Sequence, residues 1–447
     1  MKNFILSILI MGGSISFLPS CNSSKGETSI NQMLNIPAII DRNYTVGSDE
    51  EREQLLTTYD NALLAIKQNE TNLNAYLTLA QVFITEARIT GNNSYYHNAA
   101  MKMLENVLSK SPDDKDLRFQ ALTFKSSVLL SMHQFKEGLK TANEAFAISQ
   151  HNAQLMGALI DANVELGRYS EAVKTCDQMI NLRPDIRSYS RVSYLRQIYG
   201  DIPGAIEAMK MAVEAGGPGA ESTEWARIIL GDLFLASGDL QSAEANYKIA
   251  LEYRKDYPYA YAALGRIEKA KKNYDEAIKQ TENAIRIMSD ISFVSQLADI
   301  YELKGDTEKA EEIREDIVDL LEKGEKEQNK EENIVKHNGA RELATAYMKV
   351  GNLKKALPYA ETDLNMRPEN IDANELIAWI YYLQGDIANA KLHADKMMAT
   401  NTKMPNTLYK AGLIYNKSGD MEKGNMLMEE AMKNPVAVDP LLIKYSK

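Results

Sequence analysis

Few side chains in this sequence have the chemistry to bind a metal or attack a substrate: among 447 residues there are five histidines and two cysteines. No two histidines lie three to five residues apart, so none forms the zinc-binding pair that many metallopeptidases carry on one helix face. The histidines are His97, His133, His151, His337 and His393. The sequence therefore predicts no metal site, no cofactor and no enzymatic activity.

Two other patterns with possible chemistry are better explained as parts of a scaffold. Gly419 and Gly424 have the spacing of a phosphate-binding loop, but Asn425 follows where such a loop requires a lysine. Cys176 lies four residues after Ala172 in a predicted helix, and no histidine stands near it in the sequence to activate it. We predict that the Cys176 thiol is buried and structural.

The composition narrows the classes of protein further. The chain has 51 Lys and Arg against 62 Asp and Glu, a net charge of −11, and no basic stripe, which argues against a nucleic-acid partner. With 45% hydrophobic and 25% charged residues it has the composition of a folded protein. Only 12 prolines and 24 glycines, among abundant Ala, Leu, Met, Glu and Lys, favour helices over strands.

A small residue recurs along the chain with a spacing close to 34 residues, usually five positions after a glycine. Two antiparallel helices can cross closely where side chains are small, and a glycine in the turn between them can adopt the left-handed backbone that ends the first helix. The recurring small residues are Ala100, Gly138, Ala172, Ala205, Ala243, Ala277, Ala310, Ala356, Ala390 and Gly424. This pattern predicts ten stacked helical hairpins.

The first two units depart from the pattern. Tyr95 and His133 stand where most later units have the turn glycine, and residues 91–94 have the composition of an inserted loop. A preceding helix near residues 49–68 is expected to cap this end of the stack.

The clearest units read LGDLF followed by GDLQSA at residues 230–243, and AWIYY followed by GDIANA at residues 378–390. They resemble the tetratricopeptide repeat (TPR), and the resemblance extends over about residues 49–443. It implies an all-α, right-handed solenoid of about ten TPR-like hairpins, whose first helices line an inner groove.

The resemblance also implies which residues line the groove and that a protein or peptide binds there. In that family the second, fifth, ninth and twelfth positions of each unit face the groove. Aromatic and Arg side chains at such positions are common anchors of protein interfaces, although Trp225 and Trp379 could instead fill gaps between hairpins. The most distinctive candidates are Arg187, Arg191, Tyr194, Gln197, Trp225, Arg266, Lys269, Trp379 and Tyr382.

The N-terminus is typical of a secretory signal. Lys2 precedes an apolar segment at residues 4–18, which is shorter than a bilayer span, although an uncleaved anchor is an alternative. The Leu-Pro-Ser-Cys sequence at residues 18–21 resembles the lipobox of bacterial lipoproteins. By that resemblance Cys21 carries lipid, and because Asn22 is not Asp, the protein is expected at the outer membrane, on a face that the sequence does not specify.

These patterns divide the chain into five segments. Residues 1–20 form the signal, and residues 21–48, rich in Asn, Ser, Gly and Thr, are predicted to form a lipid-anchored flexible tether. Residues 49–320 hold repeats 1–7 with the N-terminal helix. The mixed-charge run at 321–336 is either a helix extension or a hinge. Residues 337–447 hold repeats 8–10 and a C-terminal cap.

The leading hypothesis is a non-enzymatic, lipid-anchored scaffold that binds a protein or peptide in the cell envelope of a Gram-negative bacterium. The alternative is a glycan-binding outer-membrane lipoprotein similar to the SusD-like family, which also uses these repeats but interrupts them with long loops. A hydrolase with an unrecognised site is a third, weaker hypothesis.

Overall fold

The computed structural model describes residues 30–42, 46–331 and 334–445. Over these ranges the chain forms 23 α-helices and one 3-10 turn, with no strand. None of the helices within them is long and apolar enough to cross a membrane. The predicted signal at residues 1–20 and the lipid site at Cys21 lie outside the described residues.

Two helices, α1 (Ile30–Met33) and α2 (Asp49–Gln68), precede ten antiparallel hairpins, and a 3-10 turn (Pro435–Ala437) and α23 (Pro440–Tyr445) follow them. Each helix packs mainly on its sequence neighbours, as in a solenoid. The prediction of an all-α solenoid of TPR-like hairpins is confirmed. The hairpins are α3 (Leu73–Thr90) and α4 (Asn93–Lys110), α5 (Lys115–Ser131) and α6 (Phe135–Ile148), α7 (Ala153–Glu165) and α8 (Tyr169–Leu182), α9 (Ile186–Ile198) and α10 (Ile202–Glu214), α11 (Glu221–Ala236) and α12 (Leu240–Tyr253), α13 (Pro258–Ala270) and α14 (Tyr274–Ile287), α15 (Ile291–Lys304) and α16 (Thr307–Lys330), α17 (Ala340–Lys349) and α18 (Leu353–Met366), α19 (Ile371–Gln384) and α20 (Ile387–Met397), and α21 (Pro405–Lys417) and α22 (Met421–Ala431).

Every one of these hairpin turns contains a residue with positive φ. Two of the ten are not glycine: His133 (φ 58°) and Lys272 (φ 64°). In the first hairpin the turn residue is Gly91 (φ 74°), and Tyr95 lies inside α4. Residues 91–94 are therefore the turn and the start of a longer second helix, not an inserted loop. The other turn glycines are Gly167, Gly200, Gly238, Gly305, Gly351, Gly385 and Gly419.

An aspartate follows the glycine in five of these turns and begins the second helix of the hairpin. Its carboxylate accepts a hydrogen bond from a backbone N–H of the first helical turn, which would otherwise have no partner. The recurring Gly-Asp pair thus ends one helix and starts the next. The capping residues are Asp201, Asp239, Asp306, Asp386 and Asp420.

The ten small residues that define the repeat are all buried. The small residues twelve positions before them also lie where helices touch. A Cβ added to Gly231 would come within 2.3 Å of the Tyr247 ring, and one added to Gly412 within 2.4 Å of Met428. The hairpins therefore need small side chains at the predicted positions, because larger ones would separate the helices.

Part of the segment that was predicted to be a flexible tether is instead folded onto the solenoid. Residues 30–42 pack against the first hairpin, with Ile36 buried in the same apolar cluster as Tyr59. The Tyr59 hydroxyl donates a hydrogen bond to the carbonyl of Pro37 (2.8 Å), and Arg42 forms an ion pair with the fully buried Glu86. The isoleucines of this segment supply enough apolar surface to hold it on the solenoid.

The mixed-charge run is helical over most of its length. Helix α16 continues to Lys330, so residues 321–330 form the helix extension rather than a hinge. The extension contacts the next hairpin, since Glu322 accepts a hydrogen bond from the Tyr347 hydroxyl and Glu325 accepts one from the Tyr359 hydroxyl (3.0 Å).

The solenoid winds far enough for its second superhelical turn to lie against its first. Eight hydrogen bonds among the described residues join positions that are 202 to 207 apart in the sequence, a separation of about six 34-residue repeats. The turn of each of the first five hairpins meets the loop after the hairpin five places later. We call this contact the seam. Its five pairs of turn and loop residues are Gly91 with Met288, His133 with Asn338, Gly167 with Glu369, Gly200 with Asn401, and Gly238 with Asn434.

A buried arginine holds the centre of the seam. Arg367 is 1% exposed and donates two hydrogen bonds to Asp363 (2.7 and 2.8 Å) and a third to Glu165 of the other superhelical turn (2.5 Å). Its guanidinium carbon lies 5.2 Å from the centre of the Phe135 ring. Asp363 is itself buried, so the seam contains a charged network that depends on all three partners.

Candidate functional site

The first helices of the hairpins form the inner wall of the solenoid, the face that carries the predicted groove positions. Ion pairs connect successive first helices along this wall. Because each pair spans two hairpins, the wall is a row of charges that already have partners of opposite sign. The pairs are Asp161 with Arg191 (2.5 Å), Asp232 with Arg266 (2.5 Å), Asp299 with Lys349 (2.7 Å), Arg341 with Asp372 (4.0 Å) and Glu375 with Lys410 (2.7 Å).

Two of the predicted groove residues, Arg191 and Arg266, belong to this row. Arg191 binds both carboxylate oxygens of Asp161, at 2.8 and 2.5 Å. Arg266 shares one oxygen of Asp232 with the hydroxyl of Tyr247. These arginines align neighbouring hairpins, and a ligand would reach them only by competing with Asp161 and Asp232.

Three further groove residues are engaged elsewhere. The Arg187 side chain binds Asp185, the residue that caps its own helix (3.1 Å). Lys269 lies 3.4 Å from Asp439, which belongs to the segment after the last hairpin. Gln197 donates a hydrogen bond to the sulfur of Met404 across the two superhelical turns (3.3 Å). The groove predicted from the resemblance is therefore partly closed by the chain itself.

The aromatic groove residues divide into packed and accessible ones. Trp379 is only 9% exposed and stacks on Tyr382, with ring centres 4.9 Å apart and planes 13° apart. It fills a gap in the wall. Trp225 is 39% exposed and touches Tyr259 edge to face at 5.1 Å, and Tyr194 is 42% exposed. Trp225 and Tyr194 are thus the aromatic groove residues with most surface available to a partner.

A large chamber lies between the two superhelical turns. Its volume is about 2440 Å³, well above the roughly 300–1,000 Å³ typical of small-molecule sites. Charged side chains of both signs line it, among them Lys269, Arg286, Asp290, Arg341 and Lys349. Of the nine predicted groove residues only Lys269 lines this chamber, because the others lie on parts of the inner wall outside it.

Two histidines and a glutamate meet at the edge of the chamber, within the seam. The Nδ1 atom of His133 and the Nε2 atom of His337 each lie 3.4 Å from the same oxygen of Glu342, and the two rings are 4.5 Å apart. Burial lowers the pKa of His133 below its usual value, which favours the neutral imidazole at pH 7. We call these three residues the His-Glu cluster.

Sequence reasoning missed the His-Glu cluster because its members come from hairpins on different superhelical turns. The one signal was His133 at a turn position that is glycine in most units. Cys176 is buried as predicted, and burial raises the pKa of its thiol to about 11, which makes it a poor nucleophile.

Comparison with protein families identifies tetratricopeptide repeats in this chain. The family model for the tetratricopeptide repeat matches residues 230–290 and 341–395, which correspond to hairpins in the middle and near the end of the solenoid. No catalytic family is indicated by this comparison. Among curated protein sequences none matches this chain.

Three solved structures are similar to parts of the chain. The crystal structure of the APC/C hetero-tetramer Cut9–Hcn1 shares 14% identity, covers 87% of this chain and 60% of its own, and has a TM-score of 0.44. This chain thus spans less than two thirds of that protein's length. The crystal structure of MamA shares 16% identity over 36% of this chain and 93% of its own, with a TM-score of 0.30. The structure of YrrB, described as a TPR protein with an unusual peptide-binding site, shares 19% identity over 54% of this chain and 98% of its own, with a TM-score of 0.20.

Proposed function

We propose that this protein is a non-enzymatic scaffold that binds a segment of a protein or peptide along its inner wall and chamber. The observation that carries the proposal is the chamber of about 2440 Å³, which is larger than a small metabolite needs and is lined by residues of both superhelical turns. A folded partner does not fit such a space, whereas an extended chain does.

The chemistry of the wall suits a polar peptide with aromatic or apolar anchors. Lysine, arginine and acidic side chains alternate around the chamber, so they can pair with charges of either sign on an extended partner. Trp225 heads a column of edge-to-face rings that continues through Tyr259 to Phe293 at 5.7 Å. Its exposed face provides an apolar contact of the kind that dominates protein interfaces.

We further propose that the scaffold is held at the bacterial outer membrane by lipid on Cys21. The support is the signal-like N-terminus followed by the lipobox-like residues 18–21. Two or three acyl chains would make this attachment nearly permanent, whereas one chain would give only reversible binding.

Site-specific photo-crosslinking tests the binding proposal. A photoreactive amino acid replaces Tyr194 or Trp225 on the inner wall, and Leu392, which is exposed on the second helix α20, serves as the control position. In living cells both inner positions should capture the same protein, and Leu392 should not. Capture of nothing from the inner wall, or equal capture from Leu392, would count against an inner binding site.

The lipid proposal has a separate test. Replacing Cys21 with Ser should move the protein from the membrane pellet to the soluble fraction and abolish its labelling by an alkyne fatty acid fed to the cells. A Cys176→Ser variant, which alters the other cysteine, should remain membrane-bound and labelled. A Cys21→Ser protein that still pellets with membranes would refute the lipid assignment.

A further inference from the structure

The His-Glu cluster has the donor atoms of a transition-metal site. His133, His337 and Glu342 each offer one ligand atom, and the three atoms lie within 4.8 Å of one another. Imidazole nitrogens with one carboxylate oxygen are donors that zinc prefers, whereas calcium and magnesium prefer oxygen alone.

Two of the three distances between ligand atoms match those of zinc ligands, and the third, between the two histidine nitrogens, is within 4.8 Å. Zinc bonds of about 2.0–2.1 Å in a tetrahedral arrangement hold neighbouring ligand atoms about 3.3–3.4 Å apart. Each histidine nitrogen lies 3.4 Å from the same oxygen of Glu342. At 3.4 Å the hydrogen bond between Nε2 of His337 and Glu342 is longer than the usual value of about 2.9–3.0 Å.

The second oxygen of Glu342 gives an independent indication of a missing ligand. It is buried and has no hydrogen-bond partner among the described residues. Buried carboxylate oxygens are normally paired, and one without a partner points to an ion or group that belongs beside it. The Nδ1 atom of His133 also lies 3.3 Å from the carbonyl oxygen of Asn338, a contact that is a hydrogen bond when Nδ1 is protonated and that a zinc ion would replace.

The backbone of His133 adds a third observation. This residue is in the left-handed conformation (φ 58°) at a turn position that is glycine in eight of the ten described hairpins. A side chain at such a position costs about 1–2 kcal/mol compared with the right-handed region. Lys272 has the same conformation but no side-chain atom that commonly binds a metal. Of the two residues, His133 is therefore the one whose strained backbone has a functional explanation.

We propose that His133, His337 and Glu342 bind one Zn²⁺ and that the ion fastens the first superhelical turn to the second. His133 comes from the turn between α5 and α6, while His337 and Glu342 come from the loop before α17 and from its first turn. The three side chains are each about one-third exposed and line the chamber, which gives the ion an entry path and leaves the fourth ligand position to water. Removal of the ion would loosen the seam beside the chamber.

One variant removes a proposed ligand without introducing strain into the backbone. In His133→Gly the ligand is lost but the turn receives the residue that its backbone favours, so the fold should be retained. Lys272→Gly makes the same change at the other non-glycine turn and is the matched control. Glu342→Gln removes the ligand charge with little change of shape.

Isothermal titration of the metal-stripped protein with ZnCl₂ provides the measurement, with circular dichroism to verify folding. Wild type and Lys272→Gly should bind one Zn²⁺, and His133→Gly and Glu342→Gln should bind at least about 100-fold more weakly. Zn²⁺ should raise the urea midpoint of wild type and Lys272→Gly only. No Zn²⁺ binding by wild type, equal binding by His133→Gly, or tighter binding of Ca²⁺ than of Zn²⁺ would overturn the proposal.

Discussion

The turns at the seam and the turns at the far edge of the second superhelical turn share sequence and backbone but differ in surroundings. Gly167 and Gly385 both have φ near the left-handed value, at 74° and 81°. A Cβ on Gly167 would meet the backbone of Glu369, whereas one on Gly385 would meet no described atom within 4 Å. The same motif therefore ends a helix in both places but also permits close packing in only one.

The turn motif of the repeat therefore ends a helix in every hairpin, and where the superhelical turns meet it has a second role in packing. At the seam the hairpin turns contact buried charged side chains and loops of the other superhelical turn, whereas elsewhere the same turns face solvent. Asn370 donates a hydrogen bond to the carbonyl of Val164 (3.3 Å), and the backbone N–H of Ile371 donates to the hydroxyl of Tyr169 (2.8 Å).

The largest effect is expected from Arg367→Ala at the seam. The variant leaves Asp363 charged and buried without its partner, at a cost of about 3–5 kcal/mol. Lys304→Ala removes a solvent-exposed pair with Asp275 away from the seam and should leave the free energy of unfolding almost unchanged. Urea unfolding followed by circular dichroism measures both, and similar midpoints for the two variants would show that the buried network does not stabilise the seam.

Gly167→Ala should lower the free energy of unfolding more than Gly385→Ala does. Both variants place a side chain in the left-handed region, which costs about 1–2 kcal/mol. At Gly167 the new Cβ would also fall 2.4 Å from the carbonyl carbon of Glu369, so overpacking raises the expected total to about 2–4 kcal/mol. Thermal unfolding should rank the variants in this order, and equal melting temperatures would mean that the two superhelical turns are not in contact in solution.

Replacement of a capping aspartate should lower the free energy of unfolding by the same amount in both regions. Asp201 follows the seam glycine Gly200 and accepts from the N–H of Gly204 (2.9 Å), while Asp386 follows Gly385 and accepts from the N–H of Asn389 (3.2 Å). Each Asp→Ala change should cost about 1 kcal/mol, because a cap acts within one helix. A clearly larger loss for Asp201→Ala in urea unfolding would show that caps also stabilise the seam.

The smallest effect is an opposite dependence on pH for one glutamate in each region. Burial, only partly offset by Arg367, raises the pKa of Glu165 at the seam, so its contribution to stability falls as the pH rises above about 4.5. Hydrogen bonds from Tyr347, Lys326 and Lys355 lower the pKa of Glu322 to about 2, so its contribution is present above pH 4.5 and is lost as the pH falls towards 2.

Melting temperatures of Glu165→Gln and Glu322→Gln, each compared with wild type between pH 2 and pH 7, test this contrast. The difference between wild type and Glu322→Gln should grow in favour of wild type as the pH rises from 2 to 4.5. The difference for Glu165→Gln should shift in favour of the variant as the pH rises above 4.5. Parallel curves for the two variants would contradict the opposite directions of the two pKa shifts.

Much of the fold could be predicted from the sequence, and rather less of the candidate site. The buried Ala243 and Ala277 and the turn at Gly238 followed the repeat pattern directly, because each acts on a helix close to it in the chain. Among the groove residues, Arg191 and Arg266 were placed on the inner wall, but their pairing with Asp161 and Asp232 depends on how neighbouring hairpins are rotated. Repeat positions alone do not specify that rotation.

The hairpins, their turns and their caps follow from the sequence pattern, because they depend on contacts within one repeat of about 34 residues. The contacts of Arg367 with Glu165, and of His133 with His337 and Glu342, are instead visible only in the folded solenoid. These contacts arise after about six hairpins, and the small rotation between each hairpin and the next accumulates along the solenoid. The pitch of the superhelix, and with it the seam and the His-Glu cluster, is therefore a property of the whole stack rather than of any repeat within it.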